Sequence, residues 1–283
     1  MTNAIWSSSD LPYACLKDIE RVLTFQRAIR HVVRPGDVVV DAGAGTGILS
    51  FFTAQAGAAA VYAVEIDPLM ASSLHLSVAL NGLDDRIVVL AGDVADVELP
   101  LGVDVVIGEL IETGLIDEPQ VPVMNDLRAR GVIGPRTRLI PDRYLTSVEL
   151  VAVDDSFYGF RIAAPFHEWP HYAHEGGWHP TRVKSLTTRE VVSDVDLCQL
   201  VTPEAACDVT FTAIADGVAN AVRLTGVAHL ASGIPLGATN ALNGDKILCL
   251  EEPVPLRRGD RLACRISFEM GGGLKTFACR VEG

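Results

Sequence analysis

The chain has 283 residues, 49% hydrophobic and 21% charged, which is enough apolar material for two ordinary domains or one large one. A formal charge of −13 with no basic run longer than Arg257-Arg258 speaks against a nucleic-acid partner, because phosphate contact needs clustered Lys and Arg. No apolar run approaches the roughly 18–20 residues of a membrane span, and the opening MTNAIWSSSD lacks the basic start and apolar core of a signal peptide. A cytoplasmic protein with no membrane partner is expected. The six cysteines (15, 198, 207, 249, 264 and 279) form no Cys-x-x-Cys pair and read as buried free thiols of a reduced compartment.

In chain order, residues 14–32 place Leu16, Ile19, Val22, Leu23, Ala28 and Ile29 at helical spacing. An Arg-Pro-Gly-Asp turn follows. Strand-like runs lie at 37–41, 60–65, 87–91 and 103–108, with helical runs at 47–57 and 68–80 between them. Pro68 suits a first helical position, and Asn81-Gly82 closes that helix. Strands alternating with helices predict an α/β, Rossmann-like doubly wound parallel sheet. From about residue 139 the pattern changes to short alternating runs at 145–153, 208–214, 221–230, 246–250, 262–268 and 275–281, punctuated by Gly, Pro and Asn. These predict an antiparallel β-barrel domain. Gly131 to Pro141 is the expected junction, giving domains 1–140 and 141–283.

The most informative stretch is VVVDAGAGTGILS, residues 38–50. A strand, a glycine turn (Gly43, Gly45, Thr46, Gly47) and a helix start form a nucleotide-type site, because glycines let the backbone approach a ligand. A tight βα turn with no ligand is the alternative. The dinucleotide fingerprint is Gly-x-Gly-x-x-Gly; here the third glycine stands one residue closer. Asp41, two residues before Gly43, would repel a pyrophosphate but accept a hydrogen bond from an ammonium. S-adenosylmethionine carries an ammonium and no phosphate, so it is the expected cofactor. Glu65, ending the second strand, suits the ribose hydroxyls. The loop Asp93-Val94-Ala95-Asp96 after the third strand suits the adenine amino group. Glu109 ends the apolar run VDVVIGE at the carboxyl edge of the sheet, where open α/β sheets bind ligands. Glu118, followed by Pro119, reads either as a second acid of the same pocket or as a solvated helix-start acid. Two converging acids repel, which raises the proton affinity of one of them.

At these residues the chain resembles the protein arginine methyltransferases. LKDIERVLTF at 16–25 is similar to their LKDxxRTLTY, and DAGAGTGILS at 41–50 to their DxGxGTGILS. GELIETGLIDE at 108–118 is similar to their double-Glu loop SEWMGYxLLYE, with the same separation of the two acids. After Pro141-Asp142, YGF at 158–160 and VSDVDL at 192–197 resemble fragments of the family's β-barrel. The resemblance implies that Arg21 holds the cofactor carboxylate, Asp41 its ammonium and Glu65 its ribose. It implies that Glu109 and Glu118 line the acceptor pocket.

Three departures set the chain apart from that pattern. Leu110-Ile111 stand where the family has Trp-Met. The family's Thr-His-Trp triplet falls near Ala241-Leu242-Asn243, so its His and Trp are absent. Only residues 154–157 separate Val153 from Tyr158, where the family inserts the helical arm that makes its dimer. An arm-mediated dimer is therefore not expected; a monomer, or a dimer through another surface, is. Residues 166–179, FHEWPHYAHEGGWH, hold four of the seven histidines. They read as a surface loop, or as an aromatic wall of His167, Trp169 and Trp178 for a flat substrate. A metal site at His171 and His174 lacks accompanying Cys, and no metal is expected. Arg223 pairs either with a substrate carboxylate or with a surface acid.

The expectation is a methyltransferase dependent on S-adenosylmethionine, with Glu109 or Glu118 taking the acceptor's proton. The missing triplet favours a small aromatic acceptor, such as an indole, phenol or aromatic amine of secondary metabolism. A protein arginine methyltransferase is the alternative, and a cofactor-binding regulator without turnover is another.

Overall fold

The computed structural model describes residues 10–170 and 182–281. The first part runs α1 (Asp10–Lys17), α2 (Ile19–Val32), β1 (Val38–Ala42), α3 (Ile48–Gln55), β2 (Ala60–Glu65), α4 (Pro68–Leu80), β3 (Ile87–Ala91), β4 (Val105–Gly108), α5 (Gln120–Ala129) and β5 (Arg138–Ile140). The helix expected over 14–32 is broken in two at Asp18. That residue accepts the Arg21 backbone N–H at 3.1 Å as the N-cap of α2. Helical spacing cannot reveal such a break, since both pieces keep the period. The strands and helices expected at 37–108 all form, with ends shifted by at most a few residues. Helix α5 lies in a stretch for which the sequence predicts no element, and strand β5 lies within the expected junction.

The five strands form one parallel sheet in the order β3-β2-β1-β4-β5. The strand order reverses between β1 and β4, and a ligand crevice opens beyond their carboxyl ends. Asp41 of β1 and Glu109 after β4 reach that point from neighbouring strands. Buried on both faces, these strands are near-continuous Val, Ile and Ala, as parallel strands require.

The second part contains β6 (Arg143–Val153), β7 (Ser156–Phe157), β8 (Phe160–Arg161), β9 (Phe166–Glu168), β10 (Val183–Ser185), β11 (Glu190–Asp196), β12 (Glu204–Thr212), β13 (Gly217–Ala231), β14 (Ile234–Leu236), β15 (Asp245–Leu256), β16 (Arg261–Glu269) and β17 (Ala278–Val281). All pairings among them are antiparallel. The main sheet runs β10-β6-β13-β15-β9, with β11 also on β6 and β14 on β13; β12-β16-β17 form a second sheet. A bridge at Thr187–Ala213 links the two. The antiparallel expectation holds, in the form of two joined sheets and a separate β7-β8 pair. One buried cluster runs through both parts, from Phe25, Val40 and Ile107 to Leu150, Leu224 and Phe211.

Among the described residues no helix is long and apolar enough to cross a membrane. The six cysteines are free thiols, but only Cys264 is buried, and Cys198 and Cys249 are exposed. The expectation of buried thiols is corrected there: those two stand on outward-facing positions of a loop and a sheet.

Candidate active site

The glycine turn is built without an anion nest. Gly43, Gly45 and Gly47 all take positive φ, at 79°, 53° and 82°, a region costly for residues with a Cβ. The amides they present are already engaged. Those of Gly43 and Ala44 donate to the Val64 carbonyl, and that of Gly47 to Ala44. The Gly45 amide donates to Glu65 at 2.7 Å. With these four amides engaged the turn offers a pyrophosphate few donors, which supports a ligand without one. Thr46 sits partly exposed at the tip. Glu65 accepts the Asp67 N–H on its other oxygen, at 2.8 Å; each oxygen keeps a lone pair for a ribose hydroxyl.

Asp41 is 1% exposed and accepts a hydrogen bond from Ser50 Oγ at 2.6 Å. Burial raises its proton affinity to about 6. Arg21 projects from α2 to the same crevice. It donates to the Glu109 carboxylate and, at 3.2 Å, to the Cys15 carbonyl. Its Nε is buried and has no partner among the described residues. A buried cation with a spare donor fits a carboxylate-bearing ligand. Asp93 caps its own turn, accepting the Ala95 N–H at 3.0 Å. Val94 packs into the core and its carbonyl accepts from Arg130 at 2.6 Å.

Loop 108–118 is held to α5 on one side and to the antiparallel part on the other. Gln120 Oε1 accepts the Leu110 N–H at 3.1 Å. Thr113 donates to the Gly244 carbonyl at 2.6 Å, and the Gly114 N–H reaches the Tyr144 hydroxyl at 3.3 Å. The backbone takes positive φ at Gly114 and Leu115, turning the chain so that Glu118 returns toward Glu109. Both acids lie within each other's field. Glu118 has no hydrogen-bond or ion-pair partner among the described residues. Burial, then the Glu109 and Glu112 carboxylates, push its proton affinity up to about 8. Glu118 is half-buried among the acids of its own loop, which favours the pocket-acid reading over a solvated helix-start acid.

The structure adds residues that the sequence reading missed. Glu112 of the same loop pairs with Lys246 of β15, and its other oxygen lies 2.8 Å from His167 Nε2. Asp117 pairs with Lys246 at 2.7 Å. Asp18 accepts the Ala241 N–H at 2.8 Å, so the Ala241-Leu242-Asn243 segment does face α2, without the family's His and Trp. A lysine directly before the apolar run ILCL is the one available signal.

The expected aromatic wall is only partly visible. His167 is engaged by Glu112 and stacks on Trp169 at 5.6 Å between ring centroids. Trp169 lies flat on Gly244, where a Cβ would come within 2.6 Å of the ring. Trp178, His171 and His174 lie outside the described residues. Arg223 is paired with acids of the antiparallel sheet, and its Nε lies 3.9 Å from Asp245. It donates to Glu149 at 2.7 Å, and Glu149 is only 3% exposed. Burial opposes ionisation of Glu149, but hydrogen bonds from Arg189, Arg223 and Ser185 hold its proton affinity below the usual range. Among the described residues no group of His, Cys, Asp and Glu is placed to hold a metal ion.

Residues 20–149 match the TRM5/TYW2 methyltransferase domain. An uncharacterised protein of Methanocaldococcus jannaschii is 39% identical over 139 residues, covering 49% of this chain and 53% of that one. The histone-arginine methyltransferase CARMER of Anopheles gambiae is 40% identical over 130 residues, 45% of this chain and 20% of that one. The chain thus spans about half the length of the first relative and a fifth of the second. The arginine N(omega)-methyltransferase of Streptomyces achromogenes subsp. streptozoticus is 25% identical over 285 residues, covering 90% of this chain and 75% of that one. A chain of the Trypanosoma brucei PRMT1 enzyme-prozyme heterotetrameric complex with AdoHcy shares the fold, with a TM-score of 0.75 at 20% identity, over 95% of this chain and 96% of that one. The resemblance to arginine methyltransferases, and the two-part fold, are borne out.

Proposed function

We propose, from this arginine-methyltransferase-like sequence and fold, that the protein is a methyltransferase dependent on S-adenosylmethionine whose acceptor is a guanidinium nitrogen. The observation that carries the reading is the meeting of Glu109 and Glu118 beside the glycine turn, with Glu118 unpaired among the described residues. Arg21 Nε suits the cofactor carboxylate, Asp41 its ammonium, Glu65 its ribose, and Asp93 the adenine edge. When bound, the cofactor supplies an electrophilic methyl group.

The chain's own residues supply orientation and a proton acceptor. Two carboxylates on one side of a planar guanidinium set its direction through paired hydrogen bonds. The nitrogen sheds one proton for each methyl it gains, and Glu118 is the group placed to take it. A carboxyl whose proton affinity lies near 8 is close to the working pH, where a general base acts best.

The expected small aromatic acceptor has less support than the arginine alternative. His167 and Trp169 are occupied by Glu112 and Gly244. The relative that matches 90% of the chain bears the name of an arginine methyltransferase. A free guanidino compound keeps the expectation of a small acceptor while changing its chemistry.

The test is a transfer assay with labelled S-adenosylmethionine against free arginine, a Gly/Arg-rich peptide and a panel of indoles, phenols and aromatic amines. Label in arginine or the peptide is expected. Label in the aromatic panel alone would overturn the guanidinium acceptor. Tight cofactor binding with no transfer to any of them would favour the regulator and overturn the enzyme reading.

A further inference from the structure

Lys246 is 1% exposed, inside the antiparallel sheet, and it holds two acids of one loop together. Glu112 and Asp117 are five residues apart and bracket the turn at Gly114-Leu115. In the SEWMGYxLLYE motif of the resembled family these two positions are Gly and Tyr, so both acids are this chain's own. The third partner is also its own: His167 belongs to the segment that opens residues 166–179, and β9 pairs His167 directly across from Lys246. Two acids of one loop therefore converge on one buried ammonium, and His167, from a second stretch, holds the other oxygen of Glu112. Removing such a cation would leave the half-buried Glu112 and the more exposed Asp117 facing each other without their shared counter-charge.

The neighbours of this knot include the reaction centre. Asp117 directly precedes Glu118, and its other oxygen accepts the Leu274 N–H at 2.9 Å. The groups whose charge reaches Glu118 are Glu109 and Glu112 on its own loop, Lys246 on β15 and Arg21 on α2. Cys15 of α1 and Tyr144 of β6 feel Glu118 in turn. Lys246 is the cation that faces it from the antiparallel sheet.

We propose that Lys246 is a positioning residue of this site: by pairing with Glu112 and Asp117 together it fixes the loop that carries Glu118 and supplies the positive charge facing it. The role rests on the methyltransferase reading for its purpose, but the geometry and the charge do not. A neighbouring cation favours the ionised carboxylate and a neighbouring carboxylate disfavours it. Lys246 and Glu112 therefore act on Glu118 with opposite sign.

The experiment measures unfolding free energy by urea from pH 4 to 10 in the full chain. The variants are Glu118→Gln, Lys246→Met and Glu112→Gln, each of the last two with and without Glu118→Gln. The difference made by Glu118→Gln reports that carboxyl together with its coupling to Glu109, since Asp41 and the exposed acids are common to both members of a pair. A carboxyl whose folded proton affinity exceeds its unfolded one contributes stability at low pH that is lost as pH rises through the folded value. In the unaltered chain that loss should end near pH 8. Lys246→Met should move its end upward, and Glu112→Gln downward, each by about one pH unit. An end that stays put in both backgrounds, or moves the same way in both, overturns the proposal. If Lys246→Met does not fold, Lys246→Gln takes its place, and an end that does not move upward in that variant overturns the proposal. Neither cofactor nor acceptor enters this measurement, so a failed transfer assay and a failed titration are separate results.

Discussion

At the scale of single residues, the site is defined by which carboxylates have partners. Glu65 is satisfied by two backbone amides, Glu109 by Arg21 and Glu149 by two arginines. Asp41 has only Ser50, in a fully buried position. Its raised proton affinity has two consequences of opposite use. For folding, the contribution is present at low pH and lost as pH rises through about 6. For an ammonium ligand the ionised form is needed, so cofactor affinity should fall as pH drops below about 6. Calorimetric titration of S-adenosylmethionine at several pH values should show that fall. Asp41→Asn should cost about 1.5–3 kcal/mol of binding at neutral pH, the usual worth of a hydrogen bond to a charged group. Affinity that is flat from pH 5 to 8 would remove Asp41 from the cofactor site.

At the scale of elements, the glycine turn and the start of α3 are set by steric room. Gly47 has φ 82°, and a Cβ there would lie 2.2 Å from Leu74 of α4. Gly47→Ala must meet both a left-handed backbone and an overpacked contact. About 2–4 kcal/mol of stability should be lost, read from urea unfolding. A loss under about 1 kcal/mol would mean that the turn yields easily and that its close approach to α4 is not required. The break at Asp18 shows the same logic: one carboxylate caps α2 and anchors Ala241, joining the parallel sheet's leading helices to the segment before β15.

At the scale of the whole molecule, the question is assembly. Residues 154–161 form a tight hairpin, β7–β8, turning at Tyr158-Gly159. Two residues between β6 and β7 leave no room for a helix pair, since even one helical turn uses about four residues. We expect a monomer, or a dimer through a surface other than this hairpin. Tyr158 is 89% exposed and Phe160 71%, so replacing both by Ser should leave the mass by sedimentation unchanged. A dimer in the unaltered chain that dissociates on that replacement would place the interface on the hairpin and refute the expectation.

The sequence by itself determined the parallel sheet, the glycine turn and the antiparallel second part, because each is written in local periodicity and in residues with few conformational options. It also carried Asp41, Glu65, Glu109 and Glu118, which sit at strand ends or in a loop of recognisable spacing. Residues 14–32 concealed a helix break, since Asp18 reads the same inside a helix as at its cap. Only the tertiary structure decided what Glu112, Asp117, His167 and Lys246 do. They come from three separate stretches of the chain, and pairing between such distant charges follows from burial and distance, which local spacing does not encode. The same holds for Arg223, whose partner Glu149 lies on the neighbouring strand, directly across in register.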